Sequence, residues 1–283
     1  MNNDAVVERV LGWASSTIRE LPWRTTRDPW GVLVSEVMSQ QTQVGRVAEK
    51  WPVFMERFPT PSACAASPLG DVLQLWQGMG YPRRARNLHQ CAAAIVELGE
   101  FPKDLESLLA LPGIGPYTAR AVLAFAFGRD VGVLDTNVGR VLARVGGRSL
   151  SVSEAQTLAD ALVPSGESWL WNQAMMDLGG TVCTSRRAHC DECPLSDICQ
   201  WRGDFGVADP ARSSAGVSRP QARFEGSRRQ ARGLLLKRLG QGAVQLAEVP
   251  DIVNRSPAQA YEVVDGLVKD GLCVLNSDSL RLP

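Results

Sequence analysis

Residues 111–128, LPGIGPYTARAVLAFAFG, contain the pattern that decides the fold of this chain. The first six of them, LPGIGP, separate two segments, 104–110 and 117–127, in which apolar residues recur at helical spacing. Gly113 and Gly115 permit a tight turn with bare backbone N–H groups, and Pro116 is favoured at the first position of a helix. The pattern predicts two short helices joined by a turn that can hold a phosphate, or an ordinary helical corner.

Helical patterning continues over most of the chain up to about residue 200, with Pro or Gly at the joins. Residues 32–51 carry one apolar stripe and are predicted to form a single helix with Gln40, Gln41 and Gln43 near its middle. With 283 residues, of which 45% are apolar, the chain can bury one large core or two ordinary ones. The sequence therefore predicts an all-α globular fold for this region.

Four of the seven cysteines lie close together in the spacing CxxxxxxCxxCxxxxxC, at Cys183, Cys190, Cys193 and Cys199. A loop this short cannot fold around an apolar core. Four thiolates can instead hold Zn²⁺ or an iron–sulfur cluster, and either would fix the loop. Two disulfides are the alternative, which a reducing compartment disfavours.

The charges balance, with 30 Lys and Arg against 30 Asp and Glu, so the net charge gives no sign of a nucleic-acid partner. Two local clusters are basic, and each of them by itself could be a solvated face. The first is Arg83, Arg84 and Arg86. The second lies between residues 212 and 238, where Glu225 is the single acidic residue. Its basic residues are Arg212, Arg219, Arg223, Arg228, Arg229, Arg232, Lys237 and Arg238.

The N-terminal residues MNNDAVVERV are charged and do not resemble a secretory signal. No apolar run approaches the length that crosses a bilayer. We therefore expect a cytoplasmic protein with no membrane partner.

Longer motifs carry a resemblance to a known family. Residues 111–128, LDTNVGRVLAR at 134–144 and the four cysteines resemble the helix-hairpin-helix DNA glycosylase superfamily that includes endonuclease III, over roughly residues 5–200. Within that superfamily, three further motifs resemble the adenine DNA glycosylase (MutY) family. They are LPWR at 21–24, DPWGVLVSEVMSQQTQV at 28–44 and WQGMGYPRRARNLH at 76–89.

The resemblance implies an all-α, two-lobed fold with DNA bound across the cleft. One lobe would comprise 1–26 and 136–202 and carry one 4Fe-4S cluster, rather than zinc, on the four cysteines. The other would be a six-helix lobe at 27–135, with the helix-hairpin-helix at 104–127. The implied activity is hydrolysis of adenine mispaired with 8-oxoguanine or G in double-stranded DNA, by a monomer.

Cleavage of an N-glycosidic bond needs a proton on the leaving base and negative charge near the sugar, which becomes cationic. Glu36 lies among Val34, Val37 and Met38, surroundings that favour a protonated carboxyl, so it is the candidate acid at adenine N7. A surface acid is the alternative reading of Glu36. Asp135 is the candidate that stabilises the sugar cation, with Asn137 orienting it, although an Asp in this setting is usually a helix cap.

Further site residues are implied by the resemblance. Tyr117 joins the pocket, at the position where bifunctional relatives carry a Schiff-base lysine, so we expect a glycosylase without strand cleavage. The adenine pocket or its approach is matched by Arg19, Leu21, Trp23, Arg24 and Asp177, the last of these being Glu in most of the family. The wedge residues are Gln41 and Tyr81, and Gln40 and Thr42 are expected near the estranged base. Phosphate contacts are expected from Gly113, Gly115, Arg186 and Arg187.

The composition changes after Cys199. Residues 203–224, rich in Gly, Ala, Ser, Pro and Arg, are predicted to be a linker, and 225–283 a small winged-helix-like module with helices at 227–239, near Leu246 and at 256–269. Two short strands are expected about Asn276 and Ser277. No histidine follows His189, whereas family members usually read 8-oxoguanine through a His-containing loop in a further domain. We therefore expect the basic linker and the module to supply sequence-blind affinity for the DNA backbone.

Two other functions remain open from the sequence. Related enzymes that remove thymine from G·T mismatches share Tyr117 and the cysteine loop, although Glu36 within SEVMSQQTQ favours adenine. A DNA-binding regulator with a redox-sensing cluster would leave Glu36 and Asp135 without a role.

Overall fold

The computed structural model describes residues 2–203, 206–214 and 223–283 of the chain. Over these residues it contains fourteen α-helices, three short β-strands and several single turns of tighter or wider helix. None of the helices in these ranges combines the length and the apolar character needed to cross a membrane. The predicted all-helical character of the region before residue 200 is confirmed.

The chain forms two compact units and passes between them several times. The first comprises Met1–Val32, Lys103–Glu106 and Gly115–Pro220, and the second comprises Leu33–Pro102, Ser107–Ile114 and Gln221–Pro283. Two helices, α2 (Pro29–Ser39) and α7 (Leu105–Leu109), contribute residues to both. The other helices of the first unit are α1 (Asn3–Thr17), α8 (Pro116–Phe125), α9 (Thr136–Val145), α10 (Val152–Ala161) and α11 (Ser168–Asp177). Those of the second unit up to residue 102 are α3 (Val44–Arg57), α4 (Pro61–Ala65), α5 (Leu69–Leu75) and α6 (Arg83–Leu98).

The core of the first unit is built mainly by four helices. Helix α1 packs on α11, and α9 packs on both α10 and α11. Their apolar faces meet around Leu142, Trp171 and Met175, which are almost completely buried. This packing fixes α9, whose first turn carries two of the predicted site residues.

The second unit is organised around α6, against which α4 and α5 pack. An aromatic group lies at its centre, where the ring of Phe54 meets Phe58 at 5.0 Å and Trp76 at 6.2 Å, both edge-on. The indole N–H of Trp76 donates to the carbonyl oxygen of Gly80 at 3.1 Å. The aromatic core thus also anchors the turn between α5 and α6.

The prediction of one helix over 32–51 is wrong, because α2 ends at Ser39 and α3 begins at Val44. Between them Gln41 has a φ of 57°, a left-handed conformation that cannot continue a helix. The physical reason lies elsewhere in the chain. The guanidinium of Arg84 donates to the carbonyl oxygens of Val37 and Met38 at 2.8 and 3.0 Å, replacing the hydrogen bonds of a further helical turn.

Residues 225–283, here called the C-terminal module, follow the order helix, strand, helix, helix, strand, strand. These elements are α12 (Arg228–Leu239), β1 (Val244–Gln245), α13 (Val249–Val253), α14 (Pro257–Lys269), β2 (Val274–Asn276) and β3 (Ser279–Arg281). Strand β3 lies between β1 and β2 and is antiparallel to both, so that Leu280 faces Val244 and Leu275. Leu235, Leu267 and Leu280 are completely buried and give the module a small core of its own.

The predicted linker at 203–224 is described only in part. Its residues 204–205 and 215–222, with Arg219 of the basic cluster, lie outside the described residues. Residues 206–214 contain a 3₁₀ turn, Pro210–Ser213, whose Ala211 packs into the core of the first unit. Asp209, just before this turn, pairs with the buried Arg144 at 2.7 Å.

Candidate active site

Asp135 caps the N-terminus of α9 and is also the predicted centre of charge stabilisation. Its carboxylate accepts hydrogen bonds from the backbone N–H groups of Asn137 and Val138 at 2.8 and 2.7 Å. The side-chain amide of Asn137 donates to the other oxygen at 2.8 Å. The structure therefore brings Asp135 and Asn137 together, and the capping role fixes the carboxylate in one orientation.

The ionisation of Asp135 is a balance between burial and these donors. Burial raises its pKa, whereas the bonds from Val138 and Asn137 and the charge of Arg140 lower it. Burial is the larger effect, so the pKa of Asp135 lies above the ordinary value for aspartate.

Arg140 connects this cap to the cysteine loop, a role that the sequence did not reveal. It lies in LDTNVGRVLAR but had no assigned function, although its spacing of three from Asn137 places both on one helix face. The guanidinium is buried and donates to the Asn137 side chain at 2.8 Å and to the carbonyl oxygen of Cys183 at 2.7 Å. It also donates to the carbonyl oxygens of Thr136 and Gly179.

One turn of π-helix, Leu178–Val182, lies between α11 and the cysteine loop. It is closed by the Cys183 N–H, which donates to the carbonyl oxygen of Leu178 at 2.7 Å. A Cβ atom on Gly179 would lie 2.7 Å from the Cβ of Asn137, so only glycine lets this turn approach the start of α9. Wide turns of this kind are frequent at functional sites.

The four clustered cysteines line one cavity, together with Arg144, Val145 and Trp201. None of the seven cysteines, all of which lie in the described ranges, forms a disulfide, so the alternative with two disulfides is not found. Arg144 approaches the Sγ atom of Cys183 at 3.3 Å, and the Arg202 N–H approaches that of Cys199 at 3.3 Å. Among the described residues, no group of three or more His, Cys, Asp or Glu is arranged to hold a single metal ion.

Asp177 gathers the polar members of the predicted adenine pocket. It is completely buried and accepts two hydrogen bonds from Arg24, at 2.7 and 2.8 Å. Arg19 donates to it through its backbone N–H at 3.0 Å and through its guanidinium at 2.8 Å. Leu21 and the buried Trp23 lie in or beside the 3₁₀ turn Pro22–Arg24 that carries Arg24.

Glu36, the predicted general acid, is 5% exposed and lies in the middle of α2. The reading of Glu36 as a surface acid is therefore wrong. Its helix neighbours Ser35 and Val37 are buried as well. Glu36 belongs to the second unit, whereas Asp135 and the partly exposed Tyr117 belong to the first.

Both predicted wedge residues occupy strained backbone positions. Gln41 and Tyr81 have φ values of 57° and 47°, a region that residues with a side chain avoid at a cost of about 1–2 kcal/mol. They lie in two turns, 40–43 and 78–81, which we call the Gln41 turn and the Tyr81 turn. The Thr42 hydroxyl joins the two turns by donating to the carbonyl oxygen of Met79 at 3.2 Å.

Arg84 holds both turns, although its cluster could be interpreted from the sequence as a solvated face. Its five acceptors, at 2.8–3.0 Å, are the carbonyl oxygens of Val37, Met38, Met79 and Gly80 and the hydroxyl of Thr42. The guanidinium carbon also lies 5.3 Å from the Trp76 ring centroid. Burial lowers the pKa of Arg84 to about 10, so the group remains charged at neutral pH. Its spacing of three from Tyr81 was the only sequence signal for this role.

The turn of the predicted helix-hairpin-helix lies between α7 and α8. Gly113 has a φ of 78°, and a Cβ atom there would meet Asn87 at 2.7 Å. Among the described residues, the N–H groups of Gly113 and Gly115 have no intramolecular acceptor. Arg186 and Arg187, also predicted to contact phosphate, are exposed in the cysteine loop.

The sequence and the fold match known proteins. The HhH-GPD superfamily of base excision DNA repair proteins matches residues 34–164. The adenine DNA glycosylase of Mycolicibacterium smegmatis is 41% identical over 278 residues, covering 95% of this chain and 92% of that protein. The chain belongs to the adenine DNA glycosylase family.

Other adenine DNA glycosylases show where the family varies. That of Mycobacterium tuberculosis is 41% identical and covers 95% of this chain and 90% of its own length. The human one is 40% identical over 212 residues, which are 68% of this chain but 38% of the human protein. The mycobacterial relatives therefore share most of the region after Cys199, which is not peculiar to this member of the family.

Solved structures confirm the helix-hairpin-helix glycosylase fold. A thermostable thymine-DNA glycosylase has a TM-score of 0.66 and 27% identity, covering 71% of this chain and 96% of that one. A non-covalent complex of endonuclease III with DNA has a TM-score of 0.63 and 27% identity, covering 72% and 97%.

The Asp177 cluster generates a pH-dependent prediction. Burial raises the pKa of Asp177, but the hydrogen bonds from Arg24 and Arg19 outweigh it and hold the pKa below the ordinary value. Asp177 therefore stabilises the fold above the ordinary aspartate pKa, and this contribution is lost as the pH falls through the lowered pKa. Asp177→Asn should reduce the free energy of unfolding at pH 7 by about 3 kcal/mol, measured by urea denaturation.

The deficit of Asp177→Asn should shrink as the pH falls below about 4. Glu8→Gln, which neutralises an exposed carboxylate on α1 of the same unit, is the control and should leave stability nearly unchanged. A deficit of constant size between pH 7 and pH 3 would contradict the ion-pair account.

Proposed function

We propose that this protein removes adenine from double-stranded DNA where adenine is mispaired with 8-oxoguanine or G. The observation that carries the proposal is the 41% identity to adenine DNA glycosylases over 95% of the chain. The likeness to a thymine-DNA glycosylase covers only 71% of the chain at 27% identity. Adenine is therefore the favoured substrate, and thymine in a G·T pair is the competing one.

Glu36 and Asp135 have complementary roles in this reaction. Glu36 donates a proton to adenine N7, so that the base leaves as a neutral molecule when the bond to the sugar C1′ breaks. The Asp135 carboxylate stabilises the positive charge that develops on the sugar. Water then adds to C1′ and loses a proton, which the Glu36 carboxylate accepts, so that the acid is restored. The burial of Glu36, 5% exposed between Ser35 and Val37, supports its assignment as the acid and not as a surface carboxylate.

The three donors to Asp135 support its role. They fix the carboxylate before substrate binds, so that little reorganisation is needed when charge develops. Because burial raises the pKa of Asp135, the ionised form that the reaction requires is lost as the pH falls through that raised pKa.

We propose the Arg19, Leu21, Trp23, Arg24 and Asp177 group as the adenine pocket or its approach. The pairing of Asp177 with both arginines supports this, because it pre-orients two guanidinium groups without a ligand. The shorter side chain of Asp, where most of the family has Glu, still reaches both arginines.

Gln41 and Tyr81 are proposed as the wedges that fill the gap left by the flipped base, with Gln40 and Thr42 near the estranged base. Their strained turns support the proposal, since strain persists where the surrounding structure enforces a functional geometry. Gly113 and Gly115 would bind the DNA backbone through their N–H groups, and Arg186 and Arg187 would add charge.

The cysteine loop is proposed to hold one 4Fe-4S cluster. A tetrahedral zinc site would bring the sulfur atoms to within about 3.8 Å of each other around one point. The four cysteines line one shared cavity, which supports a common ligand for all four, and the resemblance to endonuclease III implies that this ligand is a 4Fe-4S cluster. The cluster would have a structural role, shaping the loop that carries Arg186 and Arg187.

The C-terminal module is proposed to be a winged-helix module, which its order of helices and strands supports. The predicted cluster lobe at 1–26 and 136–202 falls within the first unit. The predicted six-helix lobe at 27–135 is divided, because residues 27–32, 103–106 and 115–135 also belong to the first unit. Every role proposed above is assigned to residues of one chain, so the protein is proposed to act as a monomer on DNA.

The activity is tested by single-turnover release of free base from duplexes carrying 8-oxoguanine·A, G·A or G·T. The wild type should release adenine but not thymine. Glu36→Gln and Asp135→Asn should each slow release by at least about a hundredfold, because each removes a group that acts in the transition state. The strand should break only after alkali, because Tyr117 cannot form the imine that a lysine would form.

Glu49→Gln and Asp265→Asn, which neutralise exposed carboxylates on α3 and α14, are the matched controls and should react at the wild-type rate. Release of thymine in preference to adenine would establish the competing substrate. If the wild type released no base from any duplex, the protein would be interpreted as a DNA-binding regulator and not as an enzyme.

The cofactor is tested by analysis of the purified protein, which should be brown and contain about four iron and four acid-labile sulfide per chain. Cys183→Ser should lose iron and weaken DNA binding. Cys273→Ser, which changes a buried thiol of the C-terminal module, should retain both. One zinc per chain without iron, or unchanged affinity in a stable Cys183→Ser protein that lacks iron, would contradict the proposal.

A further inference from the structure

The C-terminal module contacts α6 through a buried carboxylate. Asp270, which follows the last turn of α14, is 6% exposed. Its two oxygens accept from Arg83 of α6, both at 2.7 Å. Arg232 of α12 donates to the same carboxylate, and Arg86 of α6 donates to the Asp270 carbonyl oxygen. Two arginines of the predicted basic cluster thus attach the module to the helix that follows the Tyr81 turn.

The module also lies against α5 and the residues that follow it, through one hydrogen bond and one close approach. The carbonyl oxygen of the last residue, Pro283, accepts from the Gly70 N–H at 3.0 Å. At the end of α12, a Cβ atom on Gly240 would lie 2.5 Å from the amide nitrogen of Gln77, which shows how closely the two segments approach. The module therefore packs against both segments between which the Tyr81 turn lies, the one that includes α5 and the one that includes α6.

The module also touches the proposed wedge itself. Arg229, one turn before Arg232 on α12, donates to the Tyr81 hydroxyl at 2.8 Å. Its guanidinium carbon lies 5.9 Å from the Tyr81 ring centroid and 6.0 Å from that of Phe224. The phenol is thus held at its polar end by α12, while its backbone is held in the Tyr81 turn.

The charges of the module do not favour general binding to the DNA backbone. Helix α14, which would be the reading helix of a winged helix, exposes Glu262 and Asp265. On α12, Arg229 and Arg232 donate to Tyr81 and Asp270, and Arg228 lies 3.6 Å from Glu262. Several charges that the sequence offered for phosphates are engaged within the protein.

We propose that the C-terminal module is a positioning platform for the Tyr81 wedge, with Arg229 as the positioning residue that sets the orientation of the phenol. This rests on the proposed function, in which Tyr81 enters the DNA. The module then contributes to discrimination of the mispair from normal DNA, and not to affinity for duplexes in general. Asp270 and its arginines hold α12 at the distance that this requires.

A double-mutant cycle on Arg229→Ala and Tyr81→Phe tests the proposal. The dissociation constant is measured for a duplex with 8-oxoguanine opposite 2′-fluoro-2′-deoxyadenosine, which resists cleavage, and for the same duplex with G·C. The discrimination ratio is the dissociation constant of the G·C duplex divided by that of the mispaired duplex. Each single variant should lower this ratio about fivefold, the effect of one lost hydrogen bond. The double variant should lose no more than either single one, because both remove the same contact. Arg229→Lys, which keeps a donor, should recover part of the ratio.

Arg228→Ala removes the neighbouring charge on α12 and should leave the ratio unchanged. Thermal denaturation confirms that each variant is folded. Fold losses that multiply in the double variant, or an unchanged ratio in Arg229→Ala, would overturn the proposal. An equal loss of affinity on both duplexes would overturn it in favour of backbone binding by the module. Because binding needs no catalysis, these outcomes are distinct from a failure of base release.

Discussion

The segments that carry several of the proposed site residues are held by guanidinium groups inside the protein. Arg84 holds the Gln41 and Tyr81 turns in the second unit, while Arg140 holds the start of α9 against the cysteine loop in the first. Both turns and the loop lack the repeating hydrogen bonds of a helix or sheet, so their carbonyl groups need other donors. A guanidinium supplies five N–H groups in one rigid plane and can satisfy several carbonyls at once.

The strained turns persist because the hydrogen bonds of Arg84 are comparable in free energy to the strain and the burial of charge. Two residues with left-handed backbone cost together about 2–4 kcal/mol, and burial of a charged group costs several more. Each hydrogen bond from a charged donor returns about 1.5–3 kcal/mol. The four N–H groups on the two terminal nitrogens of Arg84 share five acceptors, while its buried Nε–H has no partner. The arginine therefore offsets both costs only when all of its acceptors are in place. The two turns are therefore coupled, because neither can shift without breaking hydrogen bonds of Arg84 that also hold the other turn.

Local patterns in the sequence predicted the features that depend on neighbouring residues. LPGIGP predicted the turn before α8, because Gly and Pro favour turns and helix starts. The apolar residues beside Glu36 in the sequence predicted that it is buried. The break between α2 and α3 could not be predicted, since residues 40–43 contain neither Gly nor Pro and the cause is an arginine more than forty residues away. For the same reason Arg83, Arg84 and Arg86 could be interpreted as a solvated face. Their acceptors come from distant parts of the chain, including Asp270.

The central claim is that the geometry of the guanidinium group, and not its charge, organises the site. The most direct measurement is the single-turnover rate of adenine release from an 8-oxoguanine·A duplex by Arg84→Lys and Arg84→Gln. Lysine keeps the charge but cannot reach five acceptors in two turns. The account predicts that both variants lose about tenfold or more in rate and remain similar to each other. A rate near that of the wild type for Arg84→Lys, with a loss only for Arg84→Gln, would show that Arg84 acts through its charge and would contradict the account.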